Sequence, residues 1–220
     1  MSPLVSVITS VHNGEAYLKE CVDSILNQTL QDFEFIVLNN GSTDRSLEIL
    51  QQYTDPRLRV INQENLGLSR SLNKGVQLSQ SNLIARLDAD DYSFPARLEQ
   101  QVTFMNQHPD YSLCGSRFKE LVGDDLYQQK VPFLESDEAI RKSFCHFNPF
   151  AHSSVMFRKK TFIETGGYNH RFKHSQDYDL WFRMLKLGKA CILENELIVV
   201  RLSLQSASFQ NSRRQKLEGL

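Results

Sequence analysis

The chain has 220 residues, 40% of them hydrophobic, which is enough for one domain with a substantial core. Its 25 basic and 26 acidic side chains nearly cancel, so no long-range field draws it to nucleic acid or an anionic membrane. No run approaches the roughly 18 apolar residues of a membrane span. The start, Met1 to Val7, lacks the basic and apolar regions of a secretory signal, and the four cysteines (Cys21, Cys114, Cys145, Cys191) are scattered, so the sequence predicts a cytosolic protein with reduced thiols, soluble or at most peripheral.

Val5 to Val11 reads as a β-branched strand ending at the turn signal His12-Asn13-Gly14. Leu18, Cys21, Val22, Ile25 and Leu26 recur at helical spacing. Phe33 to Leu38 is a second strand, stopped by Asn39-Asn40-Gly41. Ser42, Thr43 and Asp44 offer caps for a helix that buries Leu47, Leu50 and Tyr53. Leu58 to Ile61 is a third strand, Leu68, Leu72 and Val76 mark another helix, and Leu83 to Leu87 is the next strand. This alternation predicts a parallel α/β sheet with right-handed crossovers, whose ligands bind outside the carboxyl ends of the strands. Thr9 to Gly14, Asn39 to Gly41 and Asp88 to Asp91 all fall at that edge.

The run from Asn82 to Asp91 ends in three carboxylates. In an extended chain residues two apart share a face, so Asp88 and Asp90 are expected to point together and repel unless a cation lies between them. A hard divalent cation with a diphosphate explains the pair, because it takes one or two carboxylates plus substrate phosphates. A solvated acidic turn explains it equally well.

Beyond this point Pro95 starts a helix through Leu98, Val102 and Met105 that stops at His108-Pro109. Tyr111 to Leu121 reads as extended, Ser136 to Phe144 as a short helix, and Phe162 to Thr165 as a helix ending at Gly166-Gly167. A final amphipathic helix spans about Gln176 to Leu187, and Ile192 to Leu202 gives a last strand or two.

In order, the stretches Ser-Val-Ile-Thr-Ser-Val-His-Asn-Gly-Glu15, Asn-Asn-Gly-Ser-Thr-Asp44, Asn65-Leu-Gly-Leu-Ser-Arg-Ser-Leu-Asn-Lys-Gly75, Leu-Asp-Ala-Asp-Asp91, Pro95-Ala-Arg97, His152-Ser-Ser-Val-Met-Phe157, Gly-Gly-Tyr168 and Gln-Asp-Tyr-Asp-Leu-Trp181 closely resemble the family 2 glycosyltransferases. The resemblance covers Val5 to about Ser208. It implies a GT-A fold, a mostly parallel central sheet flanked by helices. A nucleotide-binding half would span about 1–91 and an acceptor and catalytic half about 92–208, followed by a polar tail at 209–220.

The resemblance further implies a metal-dependent inverting transfer from a nucleotide-diphosphate sugar, a UDP-sugar first, to a hydroxyl. Asp88 and Asp90 would form the Asp-x-Asp element: Asp90 on Mn²⁺ or Mg²⁺, Asp88 on the ribose or the metal shell. Ser10, Val11 and Asn39 would hold the nucleobase, and Asp177 would be the general base, kept ionised by the dipole of its helix. Asp91 is expected to point away as a turn or cap residue, Asp44 to cap its helix or support the nucleotide loop, and Trp181 to be core.

Gln176, His152, Arg70 and Glu15 are candidate acceptor or supporting residues. Each has a plain structural alternative: a packed His, a solvated helix face for Arg70 and Lys74, a helix N-terminal placement for Glu15.

Three positions depart from the family pattern: Asn39 where an acidic residue is usual, Gln176 where Glu is common, and Ser203 where His is frequent. Bacterial surface-polysaccharide assembly is the setting the resemblance implies, with a saccharide or lipid-linked saccharide acceptor and contact at most with the inner membrane face. A homodimer stays open. The rival reading is a degenerate nucleotide-sugar-binding protein that serves as a partner subunit without transferring anything.

Overall fold

The computed structural model describes residues 2–202. Ser203 and the tail at 209–220 lie outside the described residues. The first half follows the periodicity closely: β1 (Val5–Val11), α1 (Leu18–Leu26), β2 (Phe33–Asn40), α2 (Ser46–Gln51), β3 (Leu58–Gln63), α3 (Leu68–Leu78) and β4 (Leu83–Arg86). Strands β3, β2, β1 and β4 lie side by side and parallel, with Val5 opposite Phe33 and Val11 opposite Asn39.

Alternation along β1 divides the core, as a two-residue period requires. Val5, Val7 and Val11 pack against Leu18, Cys21, Val22 and Ile25 of α1, while Ile8 faces Leu72 and Val76 of α3. Helix α2 is shorter than the pattern suggests. Tyr53 lies beyond it and donates its hydroxyl to Asp23 Oδ1 at 2.8 Å.

The second half adds β5 (Tyr92–Ser93), α4 (Arg97–Gln107), β6 (Tyr111–Val122), β7 (Asp125–Gln128), α5 (Asp137–Ser143), a 3₁₀ turn at His152–Ser154, β8 (Met156–Arg158), α6 (Lys159–Glu164), α7 (Gln176–Met184) and β9 (Lys189–Arg201). These strands continue the same sheet, in the order β3-β2-β1-β4-β8-β6-β9-β5, with β7 paired to β6. β8 runs antiparallel to both β4 and β6, whereas β6 and β9 are parallel. One sheet therefore runs through both expected halves. Helix α7 ends at Met184, three residues before the expected Leu187, and β9 begins at Lys189.

Candidate active site

The loops after β1 and β2 are zipped to each other by reciprocal hydrogen bonds. The N–H of Asn13 donates to Ser42 Oγ, that of Gly14 to Ser46 Oγ and that of Glu15 to Asp44 Oδ2. In return the N–H groups of Thr43 and Arg45 donate to Asn13 Oδ1 and Glu15 Oε2. Asp44 also accepts the Ser46 N–H at 3.0 Å, so it caps α2 and braces the loop at once. Gly41 is required in this loop: its φ is +72°, and a Cβ there would lie 2.6 Å from the Asn65 nitrogen.

Val11 and Asn39 face each other in register at the strand ends. Asn39 is 2% exposed; its Nδ2 donates to Asn62 Oδ1 at 2.8 Å, and its Oδ1 is buried with no partner among the described residues. An orphaned buried acceptor carries a cost that a ligand N–H would remove. Ser10 lies on the other face of β1, and its hydroxyl donates to Ser71 Oγ of α3 at 2.8 Å, away from Asn39. Arg70 is exposed on α3 and Lys74 is half-buried.

The acidic cluster is built differently from the expectation. β4 stops at Arg86, and the chain then turns, the Asp91 N–H donating to Asp88 O at 3.2 Å. A turn rather than an extended strand therefore sets the relation of Asp88 to Asp90. Asp88 is pinned through its backbone: its N–H donates to Ser153 Oγ at 3.0 Å and its carbonyl accepts from Cys21 Sγ at 3.4 Å. Its Oδ1 is ion-paired with Arg86, which is almost completely buried, and its Oδ2 accepts from Ser153 Oγ at 3.1 Å. Burial pushes the Asp88 carboxyl up, but the Arg86 charge, helped by the Ser153 hydroxyl, outweighs it and holds the group below its ordinary value.

Asp90 is pushed up to about 6, by burial first and the Asp88 charge second. Its carboxylate has no side-chain partner among the described residues. Asp91 corrects the reading of it as a turn or cap residue. It is buried, its Oδ2 accepts from Ser153 Oγ, and its Oδ1 accepts the Arg201 N–H at 2.8 Å. Asp88 and Asp91 thus converge on one serine, and the end of β9 closes over the cluster, Arg201 Nε also donating to Asp90 O at 3.1 Å. Burial, then Asp90 and Asp88, raise the Asp91 carboxyl well above its ordinary value.

No group of three or more His, Cys, Asp or Glu side chains suited to a metal occurs among the described residues. What is present, an unpaired Asp90 beside a charged Asp88, fits a hard cation that draws its other ligands from a diphosphate.

On the opposite side, Asp177 occupies the first turn of α7. Asn148 Nδ2 donates to its Oδ2 at 2.9 Å. Burial is the largest influence and raises the group to about 6, over the lowering effects of the Tyr178 and Asp177 backbone N–H groups and Asn148. Desolvation thus outweighs the hydrogen bonds at the helix terminus, and a carboxyl at about 6 is still mostly ionised at neutral pH.

Gln176 is 7% exposed, and its Oε1 is buried without a partner among the described residues. Trp181 is wholly core, and Asp179 pairs with Arg183 at 2.6 Å, which in turn binds the carbonyls of Thr165 and Gly167.

His152 connects the two sides. Its Nδ1 is 3.8 Å from Asp88 Oδ2, its Nε2 is 2.8 Å from the Tyr168 hydroxyl, and its ring meets Trp181 edge-on at 6.1 Å. Burial, then Arg86, lower it to about 3, so the imidazole is neutral at neutral pH.

Arg86, Asn148, Ser153 and Arg201 were not singled out from the sequence. Arg86 had a local signal, a lone cation in the apolar run Leu-Ile-Ala-Arg-Leu87, two residues before Asp88. The Pro-Ala-Arg element explains how that cation is held: buried Arg97 donates from Nη2 to the Arg86 carbonyl at 2.7 Å.

A mostly parallel sheet with helices packed on both faces and an acidic turn at the carboxyl end of β4 is a GT-A fold. The Glycosyl transferase family 2 model matches residues 6–166, and the chain belongs to that family. It is 37% identical to the O-antigen biosynthesis glycosyltransferase WbnJ of Escherichia coli over 187 residues, 83% of this chain and 72% of the relative.

Among solved structures, S. aureus TarS 1-349 in complex with UDP matches with a TM-score of 0.75 at 18% identity, over 99% of this chain and 65% of that one. The mannosyltransferase PcManGT of Pyrobaculum calidifontis, in complex with GDP-Man and Mn²⁺, matches with a TM-score of 0.71 at 16% identity, over 97% of this chain and 61% of that one. The chain thus spans less than two thirds of either solved relative. No helix among the described residues is long and apolar enough to cross a membrane.

Proposed function

We propose that this chain is a metal-dependent, inverting glycosyltransferase that moves a sugar from a nucleotide-diphosphate donor, a UDP-sugar first, to a hydroxyl of a saccharide or lipid-linked saccharide acceptor in surface-polysaccharide assembly. One observation carries the reading. Two carboxylates that interact electrostatically have different surroundings: Asp88 is ion-paired with Arg86, whereas Asp177, among the described residues, meets the Asn148 amide and the backbone N–H groups of its helix. Environments that separate two carboxyls in this way assign them different tasks.

Asp177 then takes the proton of the acceptor hydroxyl as its oxygen attacks the sugar C1 from the face opposite the diphosphate. A base near the working pH is ionised often enough to act and basic enough to accept. Asp90, with Asp88 in support, would hold Mn²⁺ or Mg²⁺, which supplies counter-charge to the departing diphosphate when bound. Asn39 Oδ1 would accept an N–H of the base, with Val11 beside it and Ser10 contributing through the strand backbone. Neutral His152 and Tyr168 would fix the wall between donor and acceptor, and buried Gln176 would face the acceptor side. Exposed Arg70 is free to reach the diphosphate, while Glu15 braces the loop under it.

UDP in TarS supports uridine, and GDP-Man with Mn²⁺ in PcManGT supports manganese and keeps guanosine in view. The polysaccharide setting rests on relatives such as WbnJ. Calorimetric titration of UDP with and without Mn²⁺, on wild type and Asp90→Ala, tests the donor site. Metal-dependent binding that the substitution removes is the expected result. Failure of UDP, GDP and dTDP alike would favour the degenerate binding-protein reading instead.

A further inference from the structure

Asn148 sits in the loop between α5 and the 3₁₀ turn, and both ends of its amide are committed. Oδ1 accepts the Phe150 N–H at 3.1 Å, which fixes the amide orientation and aims Nδ2 at Asp177 Oδ2, 2.9 Å away. The loop itself is packed at both ends. The Phe150 ring lies against Gly115 of β6, where a Cβ would come within 2.6 Å of its Cδ1, so no larger residue fits there without moving the loop. At the other end Phe144 stacks on Tyr178 with ring centroids 5.2 Å apart, and the Tyr178 hydroxyl donates to the Phe144 carbonyl. The first turn of α7 is therefore clamped to this loop by consecutive residues, Asp177 through Asn148 and Tyr178 through Phe144.

From this geometry we propose that Asn148 is the positioning residue of the general base: its amide holds one oxygen of Asp177 and fixes the direction in which the carboxylate meets the acceptor hydroxyl. The inference rests on the reading of Asp177 as the base. A hydrogen bond donated to a carboxylate favours its ionised form, so Asn148 also restrains the rise that burial imposes. The other titratable groups acting there are Asp88, from the turn after β4, and Tyr168, from the segment after α6.

Asn148→Asp tests this, because the isosteric carboxylate keeps an acceptor for the Phe150 N–H and replaces the donor with a second negative charge. Asn148→Ala removes both. In the full chain labelled at aspartate carboxyl carbons, with Asp177 assigned by its loss in Asp177→Asn, the Asp177 titration should move upward in both variants. It should move further in Asn148→Asp, where the two carboxyls titrate as a pair. UDP release from a UDP-sugar that the wild type turns over should fall about 10²-fold, with its acid limb displaced upward and UDP affinity unchanged. An unmoved Asp177 titration in a folded Asn148→Asp would overturn the proposal. A moved titration with an unmoved acid limb would leave the positioning contact standing and remove the base assignment. A variant that loses UDP binding as well would show a structural loop contact and would also overturn it.

Discussion

Ser153 Oγ accepts the Asp88 N–H at 3.0 Å and lies 3.1 Å from Asp88 Oδ2. The same hydroxyl donates to Asp91, whose other oxygen ties down the end of β9. Ser153 is therefore the joint between the acidic turn and the strand that covers it. Ser153→Ala strips a donor from a buried carboxylate pair, at a cost of about 1.5–3 kcal/mol. Metal-dependent UDP affinity, measured by calorimetry, should fall by about tenfold or more, with a lower melting temperature.

Arg86→Met leaves Asp88 without its counter-charge. The Asp88 side chain is 31% exposed, so removing its buried partner costs less than the figure of about 3–5 kcal/mol for a fully buried pair, read as a lower urea midpoint at neutral pH. The sign of its pH dependence follows from the direction of the shift. In wild type the Asp88 value is lowered in the folded state, so the pair stabilises fully above the unfolded carboxyl value of about 3.9 and is lost as pH falls through the folded value. In the variant only the Ser153 contacts oppose burial, and the folded value rises above the unfolded one. The gap between variant and wild type should narrow as pH is lowered from about 8 to 5.

Asp177 has the opposite sign. Its folded value of about 6 exceeds the unfolded one, so ionising it destabilises the fold progressively as pH rises toward and past 6. Asp177→Asn should therefore raise stability by on the order of 1–3 kcal/mol at pH 8 and by nothing near pH 4, while transfer drops by about 10²–10⁴-fold. Wild-type turnover should rise with pH through about 6. Thermal melts and rate profiles on the same two proteins check both halves.

Asn39 makes a prediction about the base. Its buried Oδ1 lacks a donor among the described residues, and uracil N3–H and guanine N1–H supply one whereas cytosine N3 does not. A site left with an unpaired acceptor rejects the analogue that cannot fill it by about 1–3 kcal/mol. CDP should bind about tenfold or more weakly than the better of UDP and GDP, and Asn39→Ala should erase most of that difference. Equal affinities in competition titrations would remove Asn39 from the base pocket.

The sequence by itself determined the β1 to β4 alternation, the edge where the polar loops gather, and the core placement of Trp181. Apolar period, turn residues and strand ends are local properties that act within a few residues of each other. Tertiary structure decided the short strands β5, β7 and β8, which exist through pairing with distant partners. Met156 of β8, for instance, finds Ala85 on one side and Cys114 on the other. It also decided the chemistry of the carboxylates. Asp91 looked like a turn residue until Ser153, 62 positions away, and Arg201 closed on it. The helix position of Asp177 predicts an ionised carboxylate but not the value of about 6, which desolvation raises and the Asn148 hydrogen bond restrains. Residue order specifies which carboxylates are present; desolvation and counter-charge, which depend on what the fold packs around them, specify which of them hold a proton.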